Sequence, residues 1–123
     1  MLKPLGLYVH IPFCVKKCNY CDFNSYKLSG FEPDIAEKYV DSLICEINTL
    51  KKHTEGRFLD TIFIGGGTPS LLHRDLVKKL CDKIKVSFYI DDDVEWSIEC
   101  NPGTVTLADF RAYYEAGINR VSM

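Results

Sequence analysis

The chain has 123 residues, of which 46% are hydrophobic and 12% aromatic, enough apolar material for the core of an ordinary domain and too much for a disordered segment. Its formal net charge of −2, with acids and bases interspersed, gives no electrostatic case for nucleic acid or an anionic membrane as the main partner. No apolar run approaches the roughly 18 residues of a membrane span, and Met1-Leu-Lys-Pro-Leu-Gly6 lacks the charged, apolar and cleavage regions of a secretory signal, so a cytoplasmic protein is expected.

Leu5 to Ile11 is rich in β-branched and aromatic residues and is stopped by Pro12, which predicts a first strand. Cys14, Cys18 and Cys21 follow directly, three thiols within eight residues. After Gly30 and Pro33, the residues Ile35, Tyr39, Leu43, Ile47 and Leu50 recur at steps of three and four. That is the period of an amphipathic helix, here from Asp34 to about Lys52, with Asp34 as N-cap or first-turn acid. Gly56 ends the region, and Phe58 to Ile64 reads as a second strand running into Gly65-Gly66-Gly67-Thr68-Pro69-Ser70. A second helix fits about Leu72 to Val86, with Leu76, Val77, Leu80 and Ile84 on one face. Glu95 to Cys100 is the third strand, broken by Asn101-Pro102-Gly103. The third helix fits Leu107 to Ala116, from Thr106 as N-cap to Gly117 at the position where a left-handed residue is easiest. Arg120 to Met123 opens a fourth strand.

The order β-α-β-α-β-α-β predicts an α/β fold with a parallel sheet and right-handed crossovers. Three units and a fragment are too few to close a barrel, and a strand ending at Met123 expects a following helix and neighbour, so residues 1–123 are read as one incomplete domain, the N-terminal piece of a longer protein.

Three closely spaced thiolates can hold three corners of a cubane iron–sulfur cluster and leave the fourth iron without a protein ligand. In a reducing compartment six cysteines stay thiols, and a tight group of them is a metal site more readily than a disulfide framework. Structural zinc would want four protein ligands, and only three are local. Cys45 and Cys81, in helices, are read as buried small apolar residues, and Cys100 sits near the end of the third strand.

Gly65-Gly66-Gly67-Thr68-Pro69 lacks the Gly-Lys-Ser/Thr ending of a phosphate loop. It offers backbone that a ligand can approach closely, with acceptors for an α-amino group and the Thr68 hydroxyl. Alone, such a turn is more often simply tight, and a strand-end carboxylate such as Glu99 is more often solvated, although Glu99 could hold a ligand ammonium or hydroxyl. Ligands of parallel α/β folds bind at the C-terminal ends of the strands, so the cysteines, the glycines and Glu99 with Asn101-Pro102-Gly103 should converge on one face. His10 is read as a hydrogen-bonded packing residue, His53 and His73 as surface residues without a role, Lys16 and Lys17 as solvated, and Tyr113 and Tyr114 as helix packing.

Cys14-x3-Cys18-x2-Cys21 after a first strand, with Gly65-Gly-Gly-Thr-Pro-Ser70 after the second, resembles the radical S-adenosylmethionine (SAM) superfamily, whose fold is a full or partial (β/α) barrel. More narrowly, Tyr8-Val-His-Ile-Pro-Phe-Cys14, Cys21-Asp-Phe-Asn-Ser25, Ser97-Ile-Glu-Cys-Asn-Pro-Gly103 and Gly117-Ile-Asn-Arg-Val-Ser122 are similar to the oxygen-independent coproporphyrinogen III oxidase family. The resemblance implies that Cys14, Cys18 and Cys21 bind a [4Fe-4S] cluster whose open iron is chelated by the amine and carboxylate of SAM. It implies that Tyr20 contacts the adenosine through its backbone, that Gly66, Gly67 and Thr68 line the methionine moiety, and that Tyr8 and Glu99 complete the pocket. The oxidases of that family resemble Cys-x3-Cys-x2-Cys-x-Cys, whereas position 23 here is Phe23, as in the heme chaperone branch. The implied function is heme binding and delivery to an acceptor hemoprotein, with an electron donor such as flavodoxin or ferredoxin. The alternative is oxidative decarboxylation of a porphyrinogen through a 5′-deoxyadenosyl radical.

Overall fold

In the computed structural model, residues 3–14, 26–27 and 34–123 are described. The elements are β1 (Lys3–Ile11), β2 (Phe13–Cys14), β3 (Tyr26–Lys27), α1 (Ile35–Leu50), β4 (Arg57–Gly66), α2 (Arg74–Ser87), β5 (Ile90–Glu99), α3 (Leu107–Ala116) and β6 (Arg120–Ser122). Single 3-10 turns lie at Lys51–His53, Pro69–Leu71 and Pro102–Thr104. The main sheet has the order β1-β4-β5-β6 with every pair parallel, so spatial order follows chain order and each crossover carries a helix. α1 packs on α2 and α2 on α3. That is the arrangement of consecutive units in a (β/α) barrel wall, not of a doubly wound sheet with helices on both faces.

Side-chain alternation gives the sheet two unlike faces. Val9 and Ile11 of β1, Ile62 and Ile64 of β4, and Trp96 and Ile98 of β5 are buried against the helices. Opposite them Val40 and Ile47 of α1, Val77, Leu80, Cys81 and Ile84 of α2, and Tyr113 and Ala116 of α3 close the core. Burying one such large apolar side chain contributes about 1.5–3 kcal/mol. The other face carries Tyr8, Phe63, Ser97 and Arg120 side by side on four adjacent strands. One pleat nearer the strand ends, His10 lies beside Gly65 and Glu99 beside Ser122.

α3 forms where local chemistry predicts it. Thr106 and Asp109 make a reciprocal capping box, and Gly117 closes the helix at φ 116°. A Cβ at Gly117 would sit 3.0 Å from the Trp96 ring, so both conformation and space require glycine there. Arg74 at the start of α2 pairs with Asp109 at 3.2 Å, which ties the N-termini of α2 and α3 together on the side of the strand ends.

Several expectations need correction. Asp34 occupies the N-cap position of α1 but makes no side-chain cap bond; its carboxylate pairs with Lys38 at 3.2 Å instead. Val40 is fully buried and Leu50 is exposed, so the buried stripe of α1 runs through Val40 and Ile47 and not to its last residue. α2 starts at Arg74, and its N-cap is His73, whose Nδ1 accepts from the Asp75 N–H at 3.1 Å, so His73 has a structural role. β5 begins at Ile90, five residues earlier than expected. Cys45 and Tyr114 are exposed and are not packing residues.

Candidate cofactor site

The site is built where β1, β4 and β5 end. Pro12 withholds one ladder donor after β1, and the chain then forms β2, which pairs with β3 through Phe13 with Tyr26 and Cys14 with Lys27. Phe13–Cys14 and Tyr26–Lys27 therefore lie side by side. Cys18, Tyr20 and Cys21 lie between them in the chain, outside the described residues, as do Lys16, Lys17 and Phe23; of Cys14 the backbone alone is described.

The glycine turn is bonded directly to the exit from β1. Gly67 N–H donates to the Ile11 carbonyl at 2.8 Å, and Thr68 N–H to the Phe13 carbonyl at 2.7 Å. Gly66 has φ 121°, and a Cβ there would stand 2.5 Å from the Ile11 carbonyl oxygen and 2.9 Å from His10 Nδ1. Only glycine allows this approach of β1 to the turn. From behind, α1 holds the same exit: Tyr39 donates its hydroxyl to the His10 carbonyl at 2.5 Å, and its ring meets Phe13 edge-on with centroids 5.6 Å apart.

β5 brings the carboxylate. A Cβ at Gly65 would lie 2.5 Å from Glu99 Oε1, so Glu99 rests over bare backbone. The buried Ser70 hydroxyl accepts from Asn101 N–H at 3.2 Å, and Cys100 N–H donates to the Ser122 carbonyl at 2.8 Å. These bonds bind the turn after β4, the end of β5 and the end of β6 into one rim. It bounds an open groove of about 430 Å³ lined by Gly67, Thr68, Glu99, Asn101 and Ser122 among others.

Tyr8 stands on the same face. Its hydroxyl and His10 Nδ1 hydrogen-bond at 3.0 Å, and its ring stacks on Phe63 at 5.9 Å and 16°. Burial, and then the charge of Glu99, raise the Tyr8 hydroxyl above its ordinary value. The structure thus gathers Tyr8, Gly66, Gly67, Thr68 and Glu99. His10 is the hydrogen-bonded residue expected, and its partner Tyr8 was findable from the two-residue period of a strand. Phe63, Ser70 and Ser122 were not singled out in the sequence, since their place depends on strand register.

The remaining thiols are poor metal ligands. Burial pushes Cys81 up to about 12 and Cys100 up to about 11, and the thiolate is the ligating form. Cys45 is exposed on α1, on the far side of the helix layer from the groove. Among the described residues no group of three or more His, Cys, Asp or Glu could hold a metal ion.

The family model described as "Radical SAM superfamily" matches residues 8–123. The chain belongs to the radical SAM superfamily. Membership implies an iron–sulfur cluster and SAM, and the groove fits the latter, with a carboxylate and open glycine backbone where an amino acid head would bind. The radical SAM chain is 45% identical over 122 residues to "Heme chaperone HemW" of Escherichia coli (strain K12), covering 99% of this chain and 32% of that protein. With "Heme chaperone HemW" of Bacillus subtilis (strain 168) it shares 42% identity over 117 residues, covering 94% and 30%. With that of Mycobacterium tuberculosis (strain ATCC 25618 / H37Rv) it shares 36% over 124 residues, covering 98% and 31%. The chain therefore spans about a third of the length of these curated relatives. A solved structure described as "Coproporphyrinogen III oxidase (HemN) from Escherichia coli is a Radical SAM enzyme" matches at TM-score 0.90 and 34% identity, over 99% of this chain and 28% of that one. The parallel (β/α) fold read from the sequence is that of this superfamily. Among the described residues no helix is long and apolar enough to cross a membrane.

Proposed function

We propose that Cys14, Cys18 and Cys21 hold a [4Fe-4S] cluster beside the groove, that SAM lies along Gly66, Gly67, Thr68 and Glu99 with Tyr8 and the Tyr20 backbone at its flank, and that the protein binds heme and delivers it to an acceptor hemoprotein. The observation that carries the site is the pair of bonds from Gly67 and Thr68 to Ile11 and Phe13, because it sets the glycine turn against the residue that precedes Cys14. The cluster with SAM would supply one-electron chemistry to the groove. Glu99 would accept from an N–H of the ligand's amine or from a hydroxyl, and the glycine turn would meet the same head group with backbone rather than side chains. His10 fixes the Tyr8 hydroxyl, and the Tyr8 ring stacks on Phe63 of the neighbouring strand.

The cargo reading is supported by the heme chaperones at 36–45% identity and by Phe23 standing where the related oxidases resemble a fourth cysteine. An electron donor such as flavodoxin or ferredoxin and a cytoplasmic location accompany it. The test is to mix the reconstituted protein with heme and then with an apo-acceptor. A shifted Soret band followed by transfer is expected; no binding of heme overturns the reading. The second reading, oxidative decarboxylation of coproporphyrinogen III, is favoured by the 0.90 TM-score to the oxidase structure. It requires substrate-dependent 5′-deoxyadenosine and protoporphyrinogen under anaerobic, reducing conditions, and methionine without protoporphyrinogen excludes it.

A further inference from the structure

The inward face of a closed (β/α) barrel is filled with branched apolar side chains. In β1, β4, β5 and β6 the corresponding face is composed differently. It carries Tyr8, Phe63, Ser97 and Arg120 across four adjacent strands, with Glu95 alongside. Neighbouring strands lie about 4.8 Å apart, so the row from Tyr8 to Arg120 spans about 14 Å. One end of the row is the near-parallel Tyr8–Phe63 stack, with Tyr8 still 56% exposed. The middle is Ser97, small and buried, which closes the floor without obstructing it. The other end is the Arg120 guanidinium, whose Nη1 lies 3.2 Å from Glu95 Oε1 with both side chains more than half exposed.

An exposed pair of this kind adds little to stability, which leaves the guanidinium available to a ligand. Its geometry suits a ligand. Glu95 occupies one part of a planar fork with five donors and aims the rest, and that fork matches a carboxylate in two-point contact. We infer that Arg120, aimed by Glu95, takes a propionate carboxylate of bound heme while the flat face of the macrocycle lies toward the Tyr8–Phe63 stack. Heme answers both ends of the row, being a broad conjugated plane with acidic groups on one edge, and stacking on aromatic rings adds to what apolar burial supplies. The site adjoins the groove through the Glu99–Ser122 pair, one pleat beyond Ser97 and Arg120. This inference rests on the heme reading of the function.

The test is a Soret titration of reconstituted protein, wild type and Arg120→Gln, with heme and with heme dimethyl ester, whose propionates cannot accept as anions. SAM affinity is measured on the same samples by calorimetry. Arg120→Gln is expected to weaken heme about tenfold, the loss of one charge-assisted contact, and to leave the ester and SAM unchanged. Arg120→Lys should recover part of the loss. Glu95→Gln removes the charge that aims the guanidinium at constant size and should weaken heme several-fold while leaving the ester unchanged, which keeps the inference open to refutation if Arg120→Gln folds poorly. Equal heme affinity in wild type and Arg120→Gln overturns the inference alone. A loss of SAM affinity in place of heme affinity also overturns it, because the guanidinium then reads the methionyl carboxylate. Wild-type protein that binds no heme overturns the cargo reading and this inference together.

Discussion

Replacing Gly66 with alanine should break the site at its hinge, and the cost can be worked from two separate terms. An L-residue held at φ 121° carries strain of about 1–3 kcal/mol. The new methyl would also stand 2.5 Å from the Ile11 carbonyl oxygen, a backbone atom that cannot rotate away, and forcing such a contact apart costs a further 1–3 kcal/mol or so. A total of about 2–6 kcal/mol is expected, reaching into the range of the most damaging single substitutions. Gly56 supplies the control: its φ is 77°, yet nothing lies within 4 Å of a Cβ there, so Gly56→Ala should show only the strain, about 1–2 kcal/mol. Urea unfolding of both variants at unchanged m-value measures the difference. The Gly66 variant should in addition lose SAM affinity, since separating Ile11 from the turn moves Gly67 and Thr68. Losses that agree within about 0.5 kcal/mol would refute the close-approach argument.

Cys18→Ala should abolish the brown cluster absorbance and the bound iron, while Cys45→Ala, at an exposed helical position, should keep both; full iron in the Cys18 variant would place the metal elsewhere. Acid should unlock the α2–α3 junction. Burial alone would raise the Asp109 carboxyl, but bonds from the Thr106 backbone, the Arg74 guanidinium and the Thr106 hydroxyl outweigh it and hold the group below its ordinary value. A depressed folded-state value means that this stabilisation is complete above about pH 4 and is lost as pH falls through the folded value. The stability gap between wild type and Asp109→Asn, followed by denaturant melts from neutral pH downward, should therefore shrink in acid; a gap that stays constant contradicts the assignment.

What was legible in the sequence was local. α3 could be read to the residue because Thr106 and Gly117 state their roles at its two ends, while the Asp109 half of the capping box emerged only in the structure. The convergence of the glycine turn with Glu99 was legible from the rule that parallel strands present ligands at their C-terminal ends. Misreadings fell where the third dimension decides. Cys45 is two and five residues from the buried Ile47 and Val40, neither a helical neighbour spacing, so it turns outward despite its apolar character. Tyr114 is one and two residues from Tyr113 and Ala116, the buried pair of α3, and is exposed for the same reason. The first half of β5 was hidden by Asp91, Asp92 and Asp93, which suit a turn but here lie exposed where the register with β4 is broken between Leu59 and Thr61. The Arg120–Glu95 pair and the Ser122 contribution to the groove depend on register between strands distant in sequence, which periodicity does not encode.

The account turns on one cofactor site assembled from three strand ends, and the most direct measurement is an electron paramagnetic resonance titration of the reduced, reconstituted protein with SAM. In wild type the cluster signal should change as SAM occupies the open iron. In Glu99→Gln, with the same iron content, the change should need about ten times more SAM, as expected for weakening one charge-assisted hydrogen bond. A cluster signal indifferent to SAM in the wild-type protein would contradict the account.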